Sequence, residues 1–131
     1  MTTTPVTWKS IATVNDPTNE AGSQNEPRIT ELRDGRILIS WRDSGDNYDD
    51  RIGNDIVGQL YEIDGTPIGQ PFLLNTIWNG GSNTGSGGGS EHDHDIAATP
   101  DGGWFVVYED NNGDANFIRG ERFDSNGNLA G

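Results

Sequence analysis

An internal repeat constrains the fold of this chain more than any other feature. The segment Ile29–Asp43 aligns with Ile96–Asp110 without a gap, and both run as strand, Asp-Gly turn, strand and final aspartate. Farther along the chain, Val57–Gly65 matches Ile118–Gly127. A repeat of this kind indicates copies of one supersecondary unit that stack to bury a shared core. The chain therefore contains two copies of one unit, called here the first and the second repeat.

The apolar residues of each repeat form short runs that predict β-strands. Ile37–Trp41 and Trp104–Tyr108 are rich in β-branched and aromatic residues and are bounded by turn residues. Such runs are typical of buried strands, and the Asp-Gly pair before each run is a strong hairpin signal. Because glycine, asparagine, aspartate and proline interrupt every candidate helix, the chain is predicted to be all-β.

The order of the predicted strands indicates that the chain begins with the last strand of the repeat and not with the first. The first repeat has a fourth strand, Gly69–Asn75, while a similar segment, Trp8–Asn15, precedes that repeat. The predicted order is therefore D-A-B-C-D-A-B-C. Four-stranded repeats of this length are typical of propeller blades, and two blades cannot close a ring alone.

We therefore predict two blade-like, four-stranded antiparallel repeats. The first covers residues 1–75, including the N-terminal closing strand, and the second covers residues 76–131. Strand exchange between copies would assemble them into a propeller as a homo-oligomer or with neighbouring repeats. An eight-stranded β-sandwich is the alternative architecture.

Composition narrows the classes of partner. The 131 residues carry a net charge of −13, from 21 acidic and 8 basic side chains. Such a surface repels nucleic acid and anionic membranes, and no apolar run reaches membrane-spanning length. The first twenty residues do not show a signal-peptide pattern. Cysteine is absent, which excludes disulfides and thiolate sites. Cations, neutral sugars and other copies of the chain remain as partners.

The strand motifs resemble those of a known group of repeats. Asp101–Tyr108, followed by Ile118–Gly127, resembles the tandem repeats of large secreted bacterial proteins of the RTX and adhesin type, with their DGGFVVVW strand and G-Q-R-F-D-x-x-G strand and turn. Gly58–Gly65 and Phe72–Asn75 match the same pattern in the first repeat. The resemblance covers nearly the whole chain. It implies an extracellular, calcium-rich setting and a scaffold or binding role, although the G-G-x-G-x-D motif of the calcium-binding β-roll is absent.

The loop after each central strand is rich in oxygen ligands of the kind that calcium prefers. In such loops the alternative is a hydrophilic turn whose side chains bond their own backbone. The predicted calcium ligands are Asp43, Asp46 and Asp49 in the first repeat and Asp110, Asn112 and Asp114 in the second.

Two histidines at alternate positions form a second candidate metal site. If Glu91–Asp95 is a strand, His92 and His94 project from the same face and could ligate a transition metal. The first repeat has Asn25 and Pro27 at these positions, so the repeat itself does not require the histidines. A loop leading into the strand is the alternative interpretation.

Two aromatic residues are predicted to bind ligands. Trp78 lies in a polar loop beside asparagines, a setting that suits a binding residue, and Tyr48 lies in the acidic loop. Trp41 and Trp104 are assigned to the core.

The function predicted from the sequence is that of a non-enzymatic extracellular module for adhesion or glycan recognition. The carboxylates lie in solvated turns without an apolar pocket to raise a pKa, and no nucleophile elbow is present. Two alternatives remain open: a fragment of a propeller glycoside-active enzyme, and a purely structural or engineered two-blade unit.

Overall fold

The computed structural model describes residues 12–15, 22–45, 53–76, 90–111 and 115–131. This part of the chain contains no helix, and so no helix able to cross a membrane. The prediction of an all-β chain is confirmed. The seven strands are β1 (Gln24–Glu31), β2 (Ile37–Asp43), β3 (Asp55–Tyr61), β4 (Pro67–Leu73), β5 (Ser90–Ala98), β6 (Trp104–Asn111) and β7 (Asn116–Phe123).

The strands form one sheet in each repeat. The first sheet has the order β1-β2-β3-β4 and the second the order β5-β6-β7, with antiparallel pairing throughout. Both sheets are open, and the described residues form no closed barrel or propeller. The predicted strand Trp8–Asn15 lies largely outside the described residues, and residues 12–15 are not in a strand.

The two sheets share one register. Ser40 pairs with Gly58 in the first sheet, and Val107, the residue aligned with Ser40, pairs with Gly120 in the second. Tight turns follow β1, β3, β5 and β7, and the glycine of each turn donates its N–H to the carbonyl three residues earlier. Glycine is favoured there because φ is positive, between 83° and 88°. These glycines are Gly35, Gly65, Gly102 and Gly127.

Each repeat also carries a β-bulge at the same position of its first strand. Pairing shifts between Asn25 and Arg28 in the first sheet and between His92 and Asp95 in the second. Two residues of the bulged strand therefore face one residue of its partner. Glu26 and Asp93 occupy the first bulge position, with φ of 54° and 51°.

The two sheets pack face to face, but the face that the first sheet contributes is not equivalent to the face that the second sheet contributes. The first sheet contributes Leu38 and Leu60 to the shared core, and the second contributes Trp104 and Val106. In the alignment, however, Leu38 corresponds to Phe105, which lies on the other face of its sheet and is 41% exposed. The repeats are therefore stacked head to tail.

Aromatic packing and one arginine hold the sheets together. The Trp104 ring stacks on Phe123 at a centroid distance of 5.5 Å and contacts Phe72 at 6.0 Å. Trp41 and Trp104 are both buried, as the sequence predicts. Arg36, in the first turn, donates to the Ser125 carbonyl at 2.7 Å. The turn end of the first repeat is thereby fixed on the second.

Candidate functional site

The structure describes two of the predicted calcium ligands, Asp43 and Asp110, and both interact with other groups of their own repeat. Asp43 is buried at the end of β2, and its Oδ1 accepts a hydrogen bond of 2.8 Å from the Gly45 N–H. This is the side-chain-to-backbone turn that the sequence left as the alternative. Asp110, at the aligned position, forms an ion pair with Arg119.

The other predicted calcium ligands, Asp46, Asp49, Asn112 and Asp114, lie outside the described residues, so calcium binding stays a prediction. Asp55 is a neighbouring carboxylate that the sequence does not single out. It pairs with Asp43 in the β2–β3 ladder. The Asn75 amide donates to Asp55 at 2.9 Å and accepts from the Ile56 N–H at 2.9 Å. This buried network fixes the loop end of the first sheet.

Trp78 and Tyr48, the predicted glycan contacts, also lie outside the described residues. The described part of the first sheet carries a small pocket of about 170 Å³ on the face opposite the shared core. Trp41 lines it, but this side chain is nearly fully buried and leaves little ring surface for stacking. The pocket is lined by Val14, Asn15, Gln24, Asn25, Pro27, Ile39 and Trp41.

A buried serine–histidine pair joins the two sheets. Ser40 Oγ lies 2.8 Å from His94 Nε2, and the residues are 0% and 1% exposed. Burial lowers the pKa of the His94 imidazole below its ordinary value, and the positive charge of Arg28 adds to this effect. No described residue hydrogen-bonds the other ring nitrogen, Nδ1. Because Ser40 belongs to β2 and His94 to β5, this hydrogen bond links the two sheets.

A second buried polar group lies between the repeats. Tyr108 donates to Glu121 Oε1 at 2.6 Å, and the Thr76 backbone N–H donates to the same carboxylate at 2.9 Å. Burial raises the pKa of Tyr108 far above its ordinary value, helped by the hydrogen bond to Glu121 and by its negative charge. Thr76 follows the first sheet directly, so this carboxylate ties the end of that repeat to β7.

The histidine segment differs from both sequence interpretations. Glu91–Asp95 belongs to strand β5 and not to a loop, but the expected same-face pair of His92 and His94 is wrong. The bulge at Asp93 adds one residue to the strand, so the alternation slips and His94 turns into the shared core. His92 stays on the opposite face.

On that opposite face, His92 meets ionisable partners instead of His94. Its Nδ1 lies 3.4 Å from Asp93 Oδ2 and 3.9 Å from Glu109 Oε2. Within the described chain, these three side chains form the group that could hold a metal ion, with ligand atoms within 4.8 Å of one another.

No protein-family model, curated protein or solved structure matches this chain.

Proposed function

We propose that the chain is a non-enzymatic extracellular repeat module for adhesion or glycan recognition, built from two propeller-blade-like units that assemble with further copies. The head-to-tail packing of the two sheets carries the assembly part of this proposal, and the adhesion part rests on the resemblance of the strand motifs. A heterologous contact uses two different surfaces, so a pair of units leaves one surface of each kind without its counterpart. Further units can add at both ends until a ring closes.

The face left over on the second repeat has the chemistry of a docking surface. This outer face carries Phe105, Val107 and Ile118, which are 41%, 37% and 78% exposed. Phe105 and Val107 align with Leu38 and Ser40, which lie in the contact between the sheets. The outer face is therefore the positional equivalent of a surface that already binds a repeat within the chain.

The matching surface is on the first sheet of another copy. Ile37, Ile39 and Trp41 align with Trp104, Val106 and Tyr108, which form the second sheet's side of the internal contact. Within one chain, Val14 lies near this surface, and Tyr61 donates to its carbonyl at 3.3 Å. A docking copy would displace the segment around Val14, as strand exchange requires.

Native mass spectrometry of the full chain tests the assembly. We expect a species at a fixed multiple of 14.2 kDa, which Val107→Glu converts to monomer because it places a charge on the outer face. Ile63→Glu is the matched control, since Ile63 is 64% exposed in the β3–β4 turn. A monomer at every concentration, or equal disruption by both variants, would refute assembly through this face.

Ligand recognition is tested separately. Glycan-array binding that Trp78→Ala abolishes would support the adhesion role, whereas a blank array for the assembled protein would contradict it. Calcium bound by the acidic loops should raise the melting temperature, and Asp110→Ala should remove that rise. An unchanged melting temperature in calcium would exclude a stabilising ion there.

A further inference from the structure

We propose that His92, Asp93 and Glu109 form a binding site for a divalent transition-metal ion, with zinc as the best-fitting ion. Imidazole nitrogens and carboxylate oxygens both ligate zinc, and a water molecule can supply the fourth ligand where the protein supplies three. In tetrahedral zinc sites the ligand atoms stand about 3.3 Å apart. The separations of 3.4 Å and 3.9 Å from His92 Nδ1 approach that value.

At the equivalent position of the first repeat, a cationic side chain, Arg42, lies beside the carboxylate. His92, Asp93 and Glu109 align with Asn25, Glu26 and Arg42. The Arg42 guanidinium lies 3.2 Å from Glu26 and donates to the Asn25 amide oxygen at 2.8 Å.

Replacing arginine by glutamate changes the charge of the cluster. The formal charges of Glu26 and Arg42 sum to zero, whereas those of Asp93 and Glu109 sum to −2. A divalent cation would restore the balance that Arg42 provides in the first repeat. The first repeat thus supplies an observation that is independent of the ligand distances: there, a cation neutralises the carboxylate at the bulge.

The backbone places the donors before any ion binds. His92 and Glu109 are direct partners in the β5–β6 ladder, so their side chains leave the same face of the sheet. Both are half-buried, and Asp93 is exposed at the bulge. A mixed nitrogen and oxygen set of three ligands favours zinc over calcium, which takes six to eight oxygens.

Isothermal titration of the full chain with zinc chloride tests the site. We expect one site that weakens at least ten-fold in His92→Asn and in Glu109→Arg, the two changes that install the residues of the first repeat. Glu62→Arg is the matched charge reversal at an exposed position in the β3–β4 turn, and it should bind zinc as the unaltered chain does.

Nuclear magnetic resonance identifies the ligand, because the chain has two histidines. Zinc should shift the imidazole signals of His92 and leave those of His94 unchanged. The proposal is overturned if zinc does not bind, if His94 responds in place of His92, or if Glu109→Arg binds as tightly as Glu62→Arg.

Discussion

The backbone N–H of Asp93 donates a hydrogen bond of 3.0 Å to the carboxylate of Glu26, and the two residues hold equivalent positions in the two repeats. Both lie in left-handed backbone conformation at the start of a bulge. A contact between equivalent positions fits repeats that are stacked in the same sense. The bulges are thus part of the contact between the repeats.

The left-handed conformation at Asp93 predicts a stabilising substitution. Asp93→Gly should raise the free energy of unfolding by about 0.5 kcal/mol, because glycine adopts positive φ without steric cost and keeps the N–H that Glu26 accepts. Chemical denaturation in the presence of chelator measures the change. Asp95→Gly, at a strand position without positive φ, should instead lower the free energy by about 0.5–1 kcal/mol. A loss of stability in both variants would contradict the prediction.

Close backbone contact at Gly103 predicts a strongly destabilising substitution. A Cβ at this position would meet the Phe123 carbonyl oxygen at 2.1 Å, so Gly103→Ala should cost about 2–4 kcal/mol in the free energy of unfolding. Gly35→Ala is the comparison, since no atom lies within 4 Å of its Cβ. Its cost should be about 1 kcal/mol, from the positive φ alone. Equal melting temperatures for the two variants would show that the contact does not exist.

The buried imidazole of His94 predicts a pH dependence of stability. Its pKa is lowered in the folded state, so below about pH 6.5, the ordinary histidine value, the unfolded chain binds the additional proton. The stability contributed by neutral His94 is complete above this pH and is lost as pH falls toward the folded pKa. Urea denaturation between pH 7.5 and 5 should show this decline.

His94→Gln is the corresponding control for the pH experiment, because it removes the titrating group. Its decline over the same range should be shallower. The lowered pKa values of Asp34, Asp101 and Asp124 affect stability only at lower pH, below about 3.8. An identical slope with and without His94 would refute its assignment as a buried neutral group.

Removal of the Tyr108 hydroxyl should destabilise the fold, because the buried Glu121 carboxylate then loses a hydrogen-bond donor. Tyr108→Phe should lower the free energy of unfolding by about 1–3 kcal/mol, since Glu121 loses a hydrogen bond while remaining desolvated. Tyr61→Phe serves as comparison, because its hydroxyl donates to a backbone carbonyl at 3.3 Å. That change should cost about 0.5–1.5 kcal/mol, as for a neutral hydrogen bond. A larger effect at Tyr61 than at Tyr108 would contradict the assignment.

Local chemistry explains which parts of the fold are predictable from sequence. The Asp-Gly pairs at Asp34 and Asp101 locate two turns, and the ungapped alignment of Ile29–Asp43 with Ile96–Asp110 places these turns and the strands beside them at equivalent positions of the two repeats. The bulges are not predictable in the same way. Glu26 and Asp93 are not the glycines that positive φ favours, and the contact between them joins residues far apart in the chain.

The same reasoning applies to the candidate sites. Asp43 has the side chain of a calcium ligand, but its burial against the Gly45 N–H depends on how the loop folds back. The position of His92 opposite Glu109 depends on the bulge-shifted ladder. One sequence signal does point to this cluster: the alignment places Glu109 opposite Arg42, which reverses the charge at this strand position.

The head-to-tail stacking has a consequence for engineering longer proteins from this sequence. Each repeat uses one face to contact the repeat before it and a different face to contact the repeat after it. A copy inserted between Thr76 and Ser90 would therefore have a complementary face on each neighbouring repeat. Tandem duplication could therefore lengthen the chain without a newly designed interface. A dimer of symmetric, self-matching faces would offer no such route, because its single contact would already be used.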